Sequence, residues 1–156
     1  MSKSFAVKGG DLSIGAGRSL EIVDGQEKLL QDLKNWIMER IGTDPATPTF
    51  GSRLDGGMDN GRYVASMIGQ PMSDEAVAEI KLQISELISR YRVFQLEKIQ
   101  DEIARFGETT IKPEETISRL QKIEAIVLGD TVAVRAQIAT LANHNLKIVV
   151  PILLTA

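Results

Sequence analysis

The groups that could do chemistry in this chain are few, and their spacing keeps them apart. Its one histidine, His144, stands between Asn143 and Asn145 in a short polar stretch that reads as a turn tip. A solvated turn histidine with no second group beside it cannot relay a proton, so serine–histidine chemistry is not expected. There is no cysteine, which removes disulfides, thiolate catalysis and cysteine zinc sites. Among the 21 acidic residues, Glu27, Glu39, Glu79, Glu86, Glu97 and Glu102 fall on the polar faces of expected helices. They read as solvated groups, not as two carboxyls held across a sugar. Asp55 and Asp59, in Leu54-Asp-Gly-Gly-Met-Asp-Asn-Gly61, are placed more suggestively, because a glycine-rich loop can fold oxygens around a cation. Their spacing is not the alternating oxygen pattern of an EF-hand, so no metal is expected and the glycines read as turns. The loop also lacks the Gly-Lys-Ser or Gly-Lys-Thr ending of a phosphate cradle. No catalytic residue, cofactor or metal ligand is assigned.

The elements that would position any site follow from hydrophobic spacing. From Gln26 to Ile41, Leu29, Leu30, Leu33, Trp36, Ile37 and Ile41 keep helical spacing, and Gly42 supplies a stop. Ser73 is a good N-cap and Asp74 and Glu75 suit a helix start. Val77, Ile80, Ile84, Leu87, Ile88 and Tyr91 then mark one face of a second helix. Arg90 and Arg92 flank Tyr91 near its end, where cations complement the helix dipole. Residues 93–107 admit two readings, a continuation of this helix to Gly107 or a separate strand from Val93 to Ile99.

Between the helices, residues 43–72 are rich in glycine and proline and read as loop, with a short helix over Arg62 to Ile68. Pro113, Glu114 and Glu115 predict a further helix start carrying Ile117, Leu120 and Ile123. The chain then alternates cleanly. Val132, Val134, Ala136 and Ile138 share one face opposite Arg135 and Gln137, and Leu146, Ile148, Val150, Ile152 and Leu154 form a second run. The two runs predict a β-hairpin whose apolar face must be covered. Pro151 suits an edge strand.

Helices first and sheet last make an α+β fold: N-terminal helices on a small antiparallel sheet with a C-terminal hairpin. Residues 1–18 read as an irregular arm and 19–156 as one domain, of a size that supports one core. A formal net charge of −3 with 18 basic residues gives no footprint for nucleic acid. The longest apolar run, Ile148 to Leu154, is far short of the roughly 18 residues of a membrane span, so no membrane partner is expected. Met1 to Gly10 has no apolar stretch of the secretory kind, so export is not expected either.

Several segments, in order, resemble the small sheath-initiator baseplate wedge protein of contractile-tailed phages. That family is shared with type VI secretion baseplates and often labelled lysozyme-like. The residues that carry the resemblance are Leu20 to Gly25 followed by Gln31 and Leu33, then Asp44-Pro45, Phe50-Gly-Ser-Arg-Leu54, Tyr91-Arg92-Val93 and the closing hairpin. Where the family has Glu-Pro-Arg after its second helix, this chain has Arg90-Tyr91-Arg92, so only the arginine carries over. The resemblance implies a contact role for Arg92 toward neighbouring wedge proteins, with Arg90 and Tyr91 as its neighbours in that contact. It also implies a helical insertion over 101–122 and a structural protein of the virion tail baseplate, assembled in the host cytoplasm.

On that reading the hairpin is a template for strands of the tail sheath protein, with Ile148, Val150 and Ile152 as candidate partner-binding residues and Leu146 to Leu154 as the exposed edge. The expected function is a non-enzymatic join between wedge and sheath. The alternative suggested by the lysozyme-like label is cleavage of peptidoglycan.

Overall fold

The computed structural model describes residues 4–8, 11–12 and 22–155. Four two-residue strands open the chain: β1 (Ser4–Phe5), β2 (Val7–Lys8), β3 (Asp11–Leu12) and β4 (Ile22–Val23). β1 pairs with β4 and β2 with β3, both antiparallel. Ala6 is buried and the Val7 N–H donates to Gln31 Oε1 at 2.9 Å. At Val7 the arm therefore meets this chain's own first helix, and short strand pairs stand there where an irregular arm is expected. The remainder of residues 1–18, and Ser19 to Glu21, lie outside the described residues.

Helix α1 (Gly25–Met38) buries Leu29, Leu33, Trp36 and Ile37 on one stripe, as the spacing predicts. It stops short of the expected Ile41 because Arg40–Ile41 form β5, parallel to β6 (Ser52–Asp59). β6 then turns back into β7 (Arg62–Ser66). These strands correct two expectations, that residues 43–72 are mostly loop and that Arg62 to Ile68 is helical. The hairpin turn is Asn60-Gly61, both with positive φ, the signature of a two-residue turn matched to strand twist. Glycine is needed where β5 crosses β6: a Cβ on Gly57 would lie 2.2 Å from the Ile41 carbonyl oxygen.

Helix α2 (Asp74–Phe106) settles the fork over 93–107 in favour of helix. The Ser73 hydroxyl accepts from the Ala76 N–H at 3.0 Å, and Gly107, at φ +77°, ends the helix in the left-handed conformation. The predicted helical insertion at 101–122 is absent as such. Residues 101–106 are the end of α2, Pro113–Glu115 make a single 3-10 turn, and the strand β8 (Ile117–Leu128) starts directly afterwards.

β8, β9 (Thr131–Thr140) and β10 (Asn145–Leu153) form an antiparallel sheet in the order β10-β9-β8. Two register shifts in β8, between Ile117 and Arg119 and between Leu120 and Lys122, each add one residue. Ile117, Leu120 and Ile123 thus pair with Thr140, Ile138 and Ala136 and share a face at a spacing of three. That spacing imitates a helix, which explains the false helix at 117–123.

One apolar core joins α1, α2 and the inner face of this sheet, with Leu33, Ile80, Ile84, Leu87, Val134, Ile138 and Ile148 at its centre. Each such side chain contributes about 1.5–3 kcal/mol through burial. The class is α+β, two helices over small sheets.

Candidate functional site

Among the described residues, His144, Asp55 and Asp59, the groups singled out by their types and spacing, do not form one site. His144 is exposed at the β9–β10 turn, its ring Nδ1 against the Gln26 side-chain amide. Asp55 accepts from Arg40 at 2.9 Å and from Ser66 Oγ at 3.1 Å, and the Arg40 bond holds its carboxyl below the usual range. Asp59 pairs with Arg53. Among the described residues no three His, Cys, Asp or Glu side chains gather as metal ligands.

Among the described residues the carboxylate best shielded from water is Glu115, which sequence patterning does not pick out. Its Oε1 accepts the Gly25 N–H at 2.9 Å, at the start of α1, where negative charge complements the helix dipole and Asp24 makes no side-chain cap. Its Oε2 has no hydrogen-bond partner among the described residues. The cavity beside it, shared with Asp32, Tyr91 and Gln95, is about 50 Å³, room for water and not for a sugar ring. Glu115 anchors a helix.

The Arg90-Tyr91-Arg92 contact set divides three ways. Tyr91 is 5% exposed, its ring packed edge-on to Trp36 at 5.2 Å, and its hydroxyl reaches Asp32 Oδ2 at 3.4 Å. Burial pushes the phenol well above its ordinary range. As a partner-binding residue Tyr91 is corrected, since helical spacing aims it inward. Arg90 is half-buried and donates to the Thr49 and Gly51 carbonyls at 3.2 and 3.1 Å, tying the loop before β6 to α2. It too is committed within the chain. Arg92 alone is exposed and makes no ion pair or hydrogen bond among the described residues. Beside this turn of α2 lies a groove of about 390 Å³ walled by Trp36, Phe94 and Val93, with Arg90 and Glu97 at its rim.

The hairpin needs a similar correction. Ile148, Val150 and Ile152 are 1%, 4% and 5% exposed and face the chain's own helices, so their side chains cannot receive a partner. What β10 offers is its backbone. The Thr140 N–H donates to the His144 carbonyl and the Leu154 N–H to the Asp130 carbonyl, so even-numbered residues of this strand bond to β9. Odd-numbered residues point outward, as Leu153 shows by accepting from the Gly69 N–H at 2.9 Å. Loop residues 69–72 cover that end of the edge, with Thr155 bonded to Gln70 and Met72. From Asn145 to Pro151 the outer side has no neighbouring strand among the described residues. Pro151 falls at an outward position, where its missing N–H costs the β9 ladder nothing.

Apolar surface lies beside part of this open edge, between charged residues. Toward the helices a groove of about 260 Å³ is lined by Ile37, Met38, Val149, Val150 and Pro151, with Lys34 among them. On the outer sheet face Val149 and Leu153 are about half exposed, and the register carries the surface on through Ala133 and Thr131 to Ile126 and Leu128 of β8. β8, the other edge, is broken by its two bulges, which discourage pairing. No family model matches the chain, and comparison with curated proteins gives no match either.

Proposed function

We propose that this protein is a non-enzymatic assembly component of a contractile-tail baseplate, where it joins wedge to sheath and seeds the sheath by accepting a strand on β10. The observation that carries the reading is the Asn145–Pro151 edge: regular, open, with an apolar groove on its helix side and, on the outer face, apolar surface from Val149 onward next to Lys147 and Arg135. Strand addition draws affinity from main-chain hydrogen bonds and selectivity from alternating side chains, and an incoming strand here meets apolar ground toward the helices and a mixed face, Lys147 and Arg135 beside Val149, on the other side. The order of short segments that resembles the sheath-initiator family supplies the biological setting. The partners on this reading are the tail sheath protein and neighbouring wedge proteins, with Arg92 as a free cation for contact within the wedge.

The test is Val149→Pro. Val149 is exposed and does not bond to β9, so the variant loses an outward N–H while keeping the ladder, at a cost of about 1 kcal/mol or less in stability. Folded Val149→Pro protein is expected to enter baseplates without seeding sheath, while Val149→Thr, which keeps the N–H, seeds normally. Sheath of normal length and yield from folded Val149→Pro would sink the proposal.

A further inference from the structure

Helix α2 has two apolar sides, and only one is used. Its inner face, Ile80, Ile84, Leu87, Ile88, Tyr91 and Gln95, is buried in the core. On nearly the opposite side Leu82, Val93, Leu96 and Ile103 are 51%, 53%, 37% and 49% exposed. With Ser89 and Gln100 between them, residues 89, 93, 96, 100 and 103 repeat at alternating steps of four and three, the seam of a two-stranded coiled coil. Gln95 is the last buried residue, so the following 11 residues run about 16 Å beyond the core. A helix partner can reach this segment without displacing any element.

We infer that this stripe pairs with the same stripe of a second copy, the two α2 helices lying parallel and in register. Charge selects that partner. Arg92 and Glu97 flank the stripe on opposite sides, both are exposed, and neither has an ion-pair or hydrogen-bond partner among the described residues. In a parallel pair the residues flanking the seam meet at a spacing of five, which sets Arg92 of each copy against Glu97 of the other, twice by symmetry. Glu97 also sits at the rim of the groove walled by Trp36 and Phe94, an aromatic setting suited to a guanidinium. Arg90, the cation on the same rim, is already held by two carbonyls. Gln100 meets its own copy at the axis, where paired amides fix register.

Both helices are ordered before they meet, so no folding cost is charged to the contact. Ser89 and Glu86 dilute the seam toward its start, which makes the dimer weak, on the order of tens to hundreds of micromolar. This pairing does not rest on strand addition at β10, and either can fail alone.

Sedimentation equilibrium of the full chain between about 10 µM and 1 mM tests it. Wild type is expected to dimerise. Arg92→Glu alone and Glu97→Arg alone each weaken association by about tenfold or more, because each sets like charges together twice. An equal mixture of the two variants restores it, since both cross pairs are then opposite in charge. Both positions are exposed, so circular dichroism unchanged from wild type accompanies these results. A monomeric wild type across the range overturns the inference, as do single variants that associate like wild type or a mixture no tighter than its components.

Discussion

Gln95 carries a disproportionate share of the joint between helices and sheet. Its Nε2 donates to the Glu115 carbonyl at 2.6 Å and its Oε1 accepts from the Ile117 N–H at 2.9 Å, both in the buried interior. It thereby satisfies two backbone groups exactly where the 3-10 turn gives way to β8. Replacing it with leucine keeps the bulk and deprives both groups of their partner, a cost of about 2–4 kcal/mol. Urea unfolding of Gln95→Leu is expected to show a lower midpoint with an unchanged slope; a midpoint equal to wild type would mean water takes over both bonds. An apolar spacing rule passes over such a residue, since it records Tyr91 and then waits for the next hydrophobe. The same rule cannot separate Arg92, which is exposed, from Arg90, one step from the inner face, whose guanidinium is held by the Thr49 and Gly51 carbonyls.

At the scale of elements, what the sequence made legible is what repeats without interruption. α1, the first five turns of α2, and the β9–β10 pair all follow an unbroken period, and most of their inward residues are those the spacing names, Ile41 excepted, which belongs to β5. β8 failed because two bulges turn a period of two into a step of three, and β6–β7 failed because glycines needed for close strand crossing look like turn residues. The passage from α2 to β8 is held by another local device. Glu102 accepts from Thr109 Oγ1 at 2.6 Å and from the Thr110 N–H at 2.8 Å, folding the return loop onto the helix. The Thr109 hydroxyl, first among these donors, holds the Glu102 carboxyl below its ordinary 4.5. A depressed carboxyl contributes its stability above the unfolded value and loses it as pH falls through the folded one, so this latch works at neutral pH and releases below about pH 4.5. An NMR titration of the Glu102 carboxyl is expected to give a midpoint under 4.5 that rises in Thr109→Val; a midpoint at or above 4.5 in the wild type would remove the latch.

For the whole molecule, the core decides how the two proposed surfaces relate. The β10 edge and the outer stripe of α2 lie on different elements, yet Ile84 on α2, Leu33 on α1 and Ile148 on β10 belong to one apolar cluster. A partner bound to either surface therefore pulls on the same core. That arrangement requires helices and sheet to unfold together, a requirement the sequence could express only as the sum of apolar faces that match in number and not as the contacts between them. Trp36, packed against Phe50, Tyr91 and Phe94, reports the helix layer by fluorescence, and far-UV circular dichroism reports helices and sheet together. The two signals are expected to give one coincident denaturant transition. Ile84, fully buried, has no room to relax on truncation, so Ile84→Ala costs about 2–5 kcal/mol and moves both transitions by the same amount. Transitions that separate, with fluorescence lost first, would mean the sheet stands without its helices, and force at the β10 edge would then have no route to α2.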